Sequence, residues 1–232
     1  MGQVKFGLHQ PNPWAAGRHR SCLRWLPYAE AVLSPYERVL GDRLMDLDPV
    51  LARYVQAIPA GAVGRGSGVF AVVGSRRAWA TPVFELLERR GIIPAGWYEN
   101  VPFQIENRTV HGRQTALRTF LLPTGTFTMT DAVHVSPQGR LVDVIGATVA
   151  ASFIADVRGG GLVLRSDRVG VRMGRLTFRI PRWCSPRVDL FERYDSASAA
   201  QKIDLSITVP VIGTIFEYRG SFTYAVEEDR DA

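Results

Sequence analysis

The sequence predicts a mainly β fold: an antiparallel, barrel-like sheet with helices on its N-terminal side that pack against it or cap it. Three observations carry this expectation. From Val101 onward apolar residues recur with period two, the spacing of half-buried strands. Compact turn signals separate these runs, and the strong helix starts are confined to residues 34–95. The chain has 232 residues, 46% of them hydrophobic and 22% charged, which suits one large β domain with a real core.

Residues 1–33 carry Pro11, Pro13, Trp14 and Gly17 without periodicity and read as an irregular arm, with Trp14 and Trp25 expected against the main body. A helix starts at Ser34-Pro35-Tyr36-Glu37, where serine at the N-cap, proline at the first helical position and glutamate two residues on form a capping box. It ends near Gly41 or continues to Met45. A second helix starts at Asp48-Pro49, aligns Leu51, Tyr54, Val55 and Ile58 on one face, and stops at Pro59. Gly64-Arg-Gly66-Ser-Gly68 fails the dinucleotide pattern because position 69 is Val, and it precedes a strand-like run at 69–73, so a tight turn is expected. A third helix runs from Thr81-Pro82 to about Arg90, closed by Gly91 and Pro94.

The strands follow. Val101, Phe103 and Ile105 alternate with Gln104, Glu106 and Arg108, and the pattern returns at 115–122, 126–133, 140–145, 149–157, 162–165, 176–180, 187–194, 203–209 and 214–224. Pro123-Thr-Gly125, Pro137-Gln-Gly139, Gly159-Gly-Gly161 and Ser196–Ala200 supply the turns. Strands joined this closely favour a closed, lipocalin-like antiparallel sheet over a parallel one, and closure removes sticky edges. Residues 34–227 are expected to form one domain, and 228–232 a tail.

The formal charge is +6, yet the basic residues, 26 arginines and two lysines, are spread from Lys5 to Arg230, so a nucleic-acid partner is not expected. Cys22 and Cys184 lie far apart, and His9, His19, His111 and His134 form no ligand pair, so no metal is expected. Nor is a nicotinamide or flavin, since no phosphate-binding loop is recognisable. The N-terminus lacks the apolar stretch of a signal peptide, and the run from Val144 to Ala155 is too short to span a bilayer, so a cytoplasmic protein without membrane insertion is expected. A homodimer is compatible with the sequence.

Four segments carry a family resemblance: Tyr36-Glu-Arg-Val-Leu-Gly-Asp-Arg, Asn100-Val-Pro-Phe-Gln-Ile-Glu-Asn-Arg-Thr109, Val142-Asp-Val-Ile-Gly146 and Pro210-Val-Ile-Gly-Thr-Ile-Phe-Glu-Tyr-Arg-Gly-Ser-Phe222. Together they resemble the family called domain of unknown function 4166, over roughly residues 34–224. In some members a similar domain follows a saccharopine-dehydrogenase-like reductase, which this sequence does not contain. The resemblance implies a fold and a metabolic setting. It assigns no catalytic residue.

Polar residues in register with apolar ones are the candidates for function, because a buried carboxyl is costly unless paired or protonated. Counting by twos from Phe127 and Met129 reaches Asp131, and from Val188 and Leu190 reaches Glu192 and Tyr194. Arg118 shares a face with Phe120 and Leu122, and Phe216, Tyr218, Phe222 and Tyr224 share one in the last strand, with Gly220 between them. The expectation is an oily chamber for an apolar small molecule, with Asp131 and Glu192 as proton-transfer groups. Arg118, Phe127, Met129, Tyr194, Phe216, Tyr218 and Phe222 would contact the substrate. The activity this fits is a cofactor-independent cyclase or isomerase of polyketide-like secondary metabolism. The competing readings are a non-catalytic carrier or sensor of lipids or other small molecules, an accessory module for a separate reductase, and carboxylates merely paired with arginines.

Overall fold

The computed structural model describes residues 32–230 except 147, 174–175 and 181–183. The expected arm lies outside the described residues apart from its last two positions. Helices α1 (Pro35–Leu40), α2 (Pro49–Val55) and α3 (Thr81–Glu88) accompany strands β1 (Ala62–Gly74), β2 (Trp97–Val110), β3 (Arg113–Leu122), β4 (Gly125–Val135), β5 (Leu141–Ile145) and β6 (Val149–Arg158). The chain continues through β7 (Gly161–Met173), β8 (Leu176–Arg179), β9 (Arg187–Asp195), β10 (Ala200–Val209) and β11 (Gly213–Glu228). Short 3-10 segments, Gly41–Asp46 and Ala78–Ala80, follow α1 and precede α3.

The strands form an up-and-down meander in which the pairings of the described residues are antiparallel. Successive strands from β1 to β7 are neighbours, and β9, β10 and β11 continue the order. Closure comes from β11 returning to β1 and from β7 bonding to both β6 and β9, which makes a ring of ten strands among the described residues. β7 divides one edge between two partners: Leu162–Arg165 pairs with β9, and Gly170–Met173 pairs with β8. Between those stretches the Val188 N–H donates to Ser166 Oγ at 2.8 Å, so a side chain carries the seam where the backbone ladder stops.

The expected caps are present. Glu37 N–H donates to Ser34 Oγ at 3.1 Å, and Ser34 N–H donates to Glu37 Oε2 at 2.7 Å. The same box ties the first two helices together: the Ser34 hydroxyl donates to the Val55 carbonyl at 2.6 Å, and the Ala57 N–H donates to Glu37 Oε2 at 3.0 Å. Asp48 caps α2 through Val50 N–H at 2.8 Å. Both helices close one barrel end, fastened where Ile58 N–H donates to Thr109 Oγ1 and Asp48 N–H to the Gly160 carbonyl. At the other end Phe84 of α3 is buried and meets the Phe216 ring, with centroids 6.1 Å apart.

Two expectations change. Gly64, Gly66 and Gly68 do not make a tight turn; they lie inside β1, facing Asn107, Ile105 and Phe103 across the ladder. A Cβ on Gly68 would sit 2.0 Å from the Ser221 carbonyl oxygen, and one on Gly66 would sit 2.7 Å from that of Thr223. Glycine is needed there because β11 crowds onto β1 and leaves no room for a side chain. The barrel therefore begins at Ala62, between the second and third helices, so residues 34–95 are not a purely helical layer. The second change is length: β7 runs to Met173 rather than 165, and β11 runs to Glu228, into the expected tail.

Candidate interior site

Period-two alternation sends one face of each strand into the barrel. The aromatic part of that interior lies along the closing seam. Phe70 packs edge-on against Phe103 and Tyr218, with centroids 4.7 and 5.1 Å away, and Phe120 links Phe103 to Phe127. Phe127, Met129, Phe216, Tyr218 and Phe222 are all buried in this one core, as are Asp131 and Glu192 in their own strands. Tyr194 is half-buried near the end of β9, opposite Gln201, and is not packed into the aromatic cluster.

The polar part of the interior is larger than the sequence reading found. Asp131 on β4 forms an ion pair with the Arg118 guanidinium on β3, one step diagonally across the ladder. Asp143 on β5 sits opposite Val133, the next inward position on β4 after Asp131. Glu192 on β9 faces Leu162 on one side and Ile203 on the other, and is 5% exposed. Tyr36 and Tyr54 enter from the capping helices. The charges of Asp143, Glu192 and Arg118 all act on the Tyr36 phenol, and those of Glu192, Arg118 and Asp131 on Tyr54, so these groups lie near one another in the interior.

Burial and neighbouring charge divide the acids. Asp143 is pushed up to about 8, first by burial and then by the nearby Asp131 charge, so it keeps its proton near neutrality. Burial also pushes Asp131 up, but the Arg118 guanidinium against it favours its charged form, and the pair shares one arginine and one negative charge. Glu192 is raised to about 7 by burial, with the Arg118 charge opposing. Desolvation raises Tyr36, Tyr54 and Tyr218, and lifts Tyr224 to about 12, so all four phenols remain hydrogen-bond donors.

Several interior groups have polar atoms that none of the described residues satisfies. Glu192 Oε2, Asp143 Oδ1, Gln114 Oε1, Asn107 Oδ1 and both polar atoms of Gln201 are buried without a hydrogen-bond partner. Gln201 is 2% exposed, and such a group costs about 1–3 kcal/mol if left unsatisfied. Spacing found Glu192 and could have found the others. Asp143 lies between Leu141 and Ile145 by twos, Gln201 precedes Ile203 and Leu205, and Asn107 follows Phe103 and Ile105. Tyr36 and Tyr54 could not be found in this way, because their role depends on how the helices dock.

The family model described as a domain of unknown function (DUF4166) matches residues 47–222, most of the chain. The chain belongs to this family. No curated protein and no solved structure matches it. The matched span of the DUF4166 domain contains the aromatic seam, the Arg118–Asp131 pair, Asp143 and Glu192, while Tyr36 precedes it. Among the described residues, no group of three or more His, Cys, Asp and Glu side chains is placed to hold a metal ion. No described helix is long and apolar enough to cross a membrane. Chemically, the interior offers one carboxyl that holds its proton, one that titrates near neutrality, a fixed cation and several phenols.

Proposed function

We propose that this DUF4166 domain encloses a largely apolar small molecule bearing carbonyl or hydroxyl oxygens and moves a proton on it, as a cofactor-independent isomerase or cyclase. The observation that carries this reading is Glu192, a carboxyl that burial pushes up to about 7 and whose Oε2 has no partner among the described residues. A group that titrates near the working pH is the most effective proton acceptor or donor. Glu192 takes the proton, the protonated Asp143 and the Tyr36 phenol donate to the developing oxyanion, and Arg118, held by Asp131, supplies positive charge nearby. Phe103, Phe120 and Phe222 shape the apolar end and fold the substrate. Asp131 acts here as a positioning residue, since its carboxylate is engaged by Arg118.

The test begins with native mass spectrometry of freshly purified protein, which should show a retained small molecule. Incubated in deuterium oxide, the wild type should place deuterium in the released molecule, and Glu192→Gln should slow that exchange at least about a hundredfold. A ligand that is bound but never labelled would leave a carrier as the reading, and equal labelling by Glu192→Gln would remove Glu192 from the chemistry.

A further inference from the structure

The proton transfer uses the acids and the arginine of the interior and leaves a second group of buried polar side chains without a task. These are Gln201 on β10, Tyr224 on β11, Asn107 on β2 and Gln114 on β3. Register brings the four together. Gln201 lies opposite Phe222, so Tyr224, two residues on, is its diagonal neighbour on the inward face. Tyr224 lies opposite Gly66, and a Cβ on Gly64 would run into its phenolic oxygen, so the phenol lies over Gly64, whose partner on β2 is Asn107. Asn107 in turn faces Ala116, and Gln114 is the diagonal neighbour beyond it. Tyr54 of α2 covers the group: its ring meets that of Tyr224 edge-on at 4.8 Å, and its carbonyl accepts from Gln114 Nε2 at 3.4 Å. On the other side Gln201 is one diagonal step from Glu192, which lies opposite Ile203.

The hydrogen-bonding capacity left over in this group is specific. Gln201, Asn107 and Gln114 are 2%, 2% and 6% exposed. Neither amide atom of Gln201 has a partner among the described residues, nor do Asn107 Oδ1, Gln114 Oε1 and the Tyr224 hydroxyl. Gln201 therefore offers one donor and one acceptor whichever way its amide is turned. Burial raises the Tyr224 phenol, and the nearby Asn107 side chain opposes that rise, so the phenol keeps its proton as a donor. A methionine at 201 would fill a similar volume without burying an unsatisfied amide, so the glutamine is explained by something it binds. A primary carboxamide matches the whole set. Its carbonyl and one N–H close a two-bond ring with the Gln201 amide, its second N–H donates to Asn107 Oδ1 or Gln114 Oε1, and its carbonyl also accepts from Tyr224. A hydroxyl would bring one donor and a carboxylate none, and these four side chains carry no cation to meet a carboxylate.

We infer that Gln201, Asn107, Gln114 and Tyr224 form a neutral subsite that anchors a primary carboxamide at one end of the enclosed molecule, with the hydrocarbon part running toward Phe222 and Phe103. The inference rests on the reading that the barrel encloses an apolar molecule. The experiment is calorimetric titration of the full chain with three probes of one shape: octanamide, methyl heptyl ketone and octanoate. Octanamide should bind at least about tenfold more tightly than the ketone, which keeps the carbonyl and replaces the amino group by methyl. It should also bind more tightly than octanoate. Gln201→Met, and separately Asn107→Leu, should weaken octanamide at least about tenfold and the ketone by less than about threefold, with a thermal midpoint no lower than that of the wild type. Equal binding of octanamide and the ketone would overturn the inference, since the amides would then be served by buried water alone. Tighter binding of octanoate would do the same by moving the anchor to Arg118, and so would variants that lose both probes equally, because the side chains would then pack rather than recognise. If the ketone is refused along with octanamide, the enclosing reading falls as well. The readout is binding without turnover, so it is separate from the isotope exchange that tests Glu192.

Discussion

Glu192 concentrates the chemistry of the interior in one side chain, and its titration has a consequence for stability that needs no substrate. Burial raises its folded pKa to about 7, against an ordinary value of 4.5 in the unfolded chain. The folded state therefore holds the proton more tightly than the unfolded state does, and the stability this contributes is full below about 4.5 and is lost as pH rises through about 7. The difference is of order 3 kcal/mol for a group shifted this far. Asp143 adds a decline of the same sign that extends to about 8. Glu192→Gln keeps the shape and removes the proton, so urea unfolding at about pH 5 and about pH 8 should show a decline smaller by roughly 3 kcal/mol than in the wild type. An unchanged decline would show that Glu192 is solvated and charged in the folded state. Asp131 and Glu192 were legible in the sequence because each continues an apolar series by twos. Which acid holds the arginine was not, since that depends on the diagonal step between β3 and β4 and on the position of Asp143 one strand further on.

Strand β1 shows how one element can be misread and why. Glycines in close succession are the commonest sign of a turn, and Gly64-Arg-Gly-Ser-Gly68 stands between two helices, so local chemistry alone favours a turn there. The opposing signal is the period: Gly64, Gly66, Gly68 and Phe70 are two apart, and they make one face. What decides the matter is β11, whose Phe222 and Tyr224 lie opposite Gly68 and Gly66 and fill the space their side chains would take. The three glycines are not equivalent. A Cβ on Gly64 would meet the end of the Tyr224 side chain, which can swing aside, whereas one on Gly68 would meet the Ser221 carbonyl and the Phe222 backbone. Gly68→Ala should therefore lower stability by about 3 kcal/mol or more, and Gly64→Ala by less than about 1.5 kcal/mol while displacing Tyr224 from the interior. Thermal unfolding of both variants checks this, and equal losses would mean that the backbones of β1 and β11 are not in close contact.

At the scale of the whole molecule, the meander order was legible because turn signals of two to five residues force neighbours in sequence to be neighbours in the sheet. Closure was legible only as a preference, because no local pattern marks the pairing of β1 with β11. That pairing joins Ala62–Gly74 to residues 217–228, the longest sequence separation in the ring, and contact order of this kind makes the closing step the slow one. Once closed, each of the ten ring strands has a neighbour on both sides, although the ladders through β5 and between β7 and β9 are short. β8 is the exception: it pairs with β7 over four residues and has no second neighbour among the described residues. Amide hydrogen exchange should separate the two situations. Amides of β1, β2 and β11 at the closing seam should exchange together, through global opening, and be the slowest in the protein. Those of β8 and of Gly170–Met173 facing it should exchange through local opening, with protection at least about a hundredfold lower. If β8 proved as protected as β11, a further strand-like partner would have to cover it, and the ring would carry a second layer on that side.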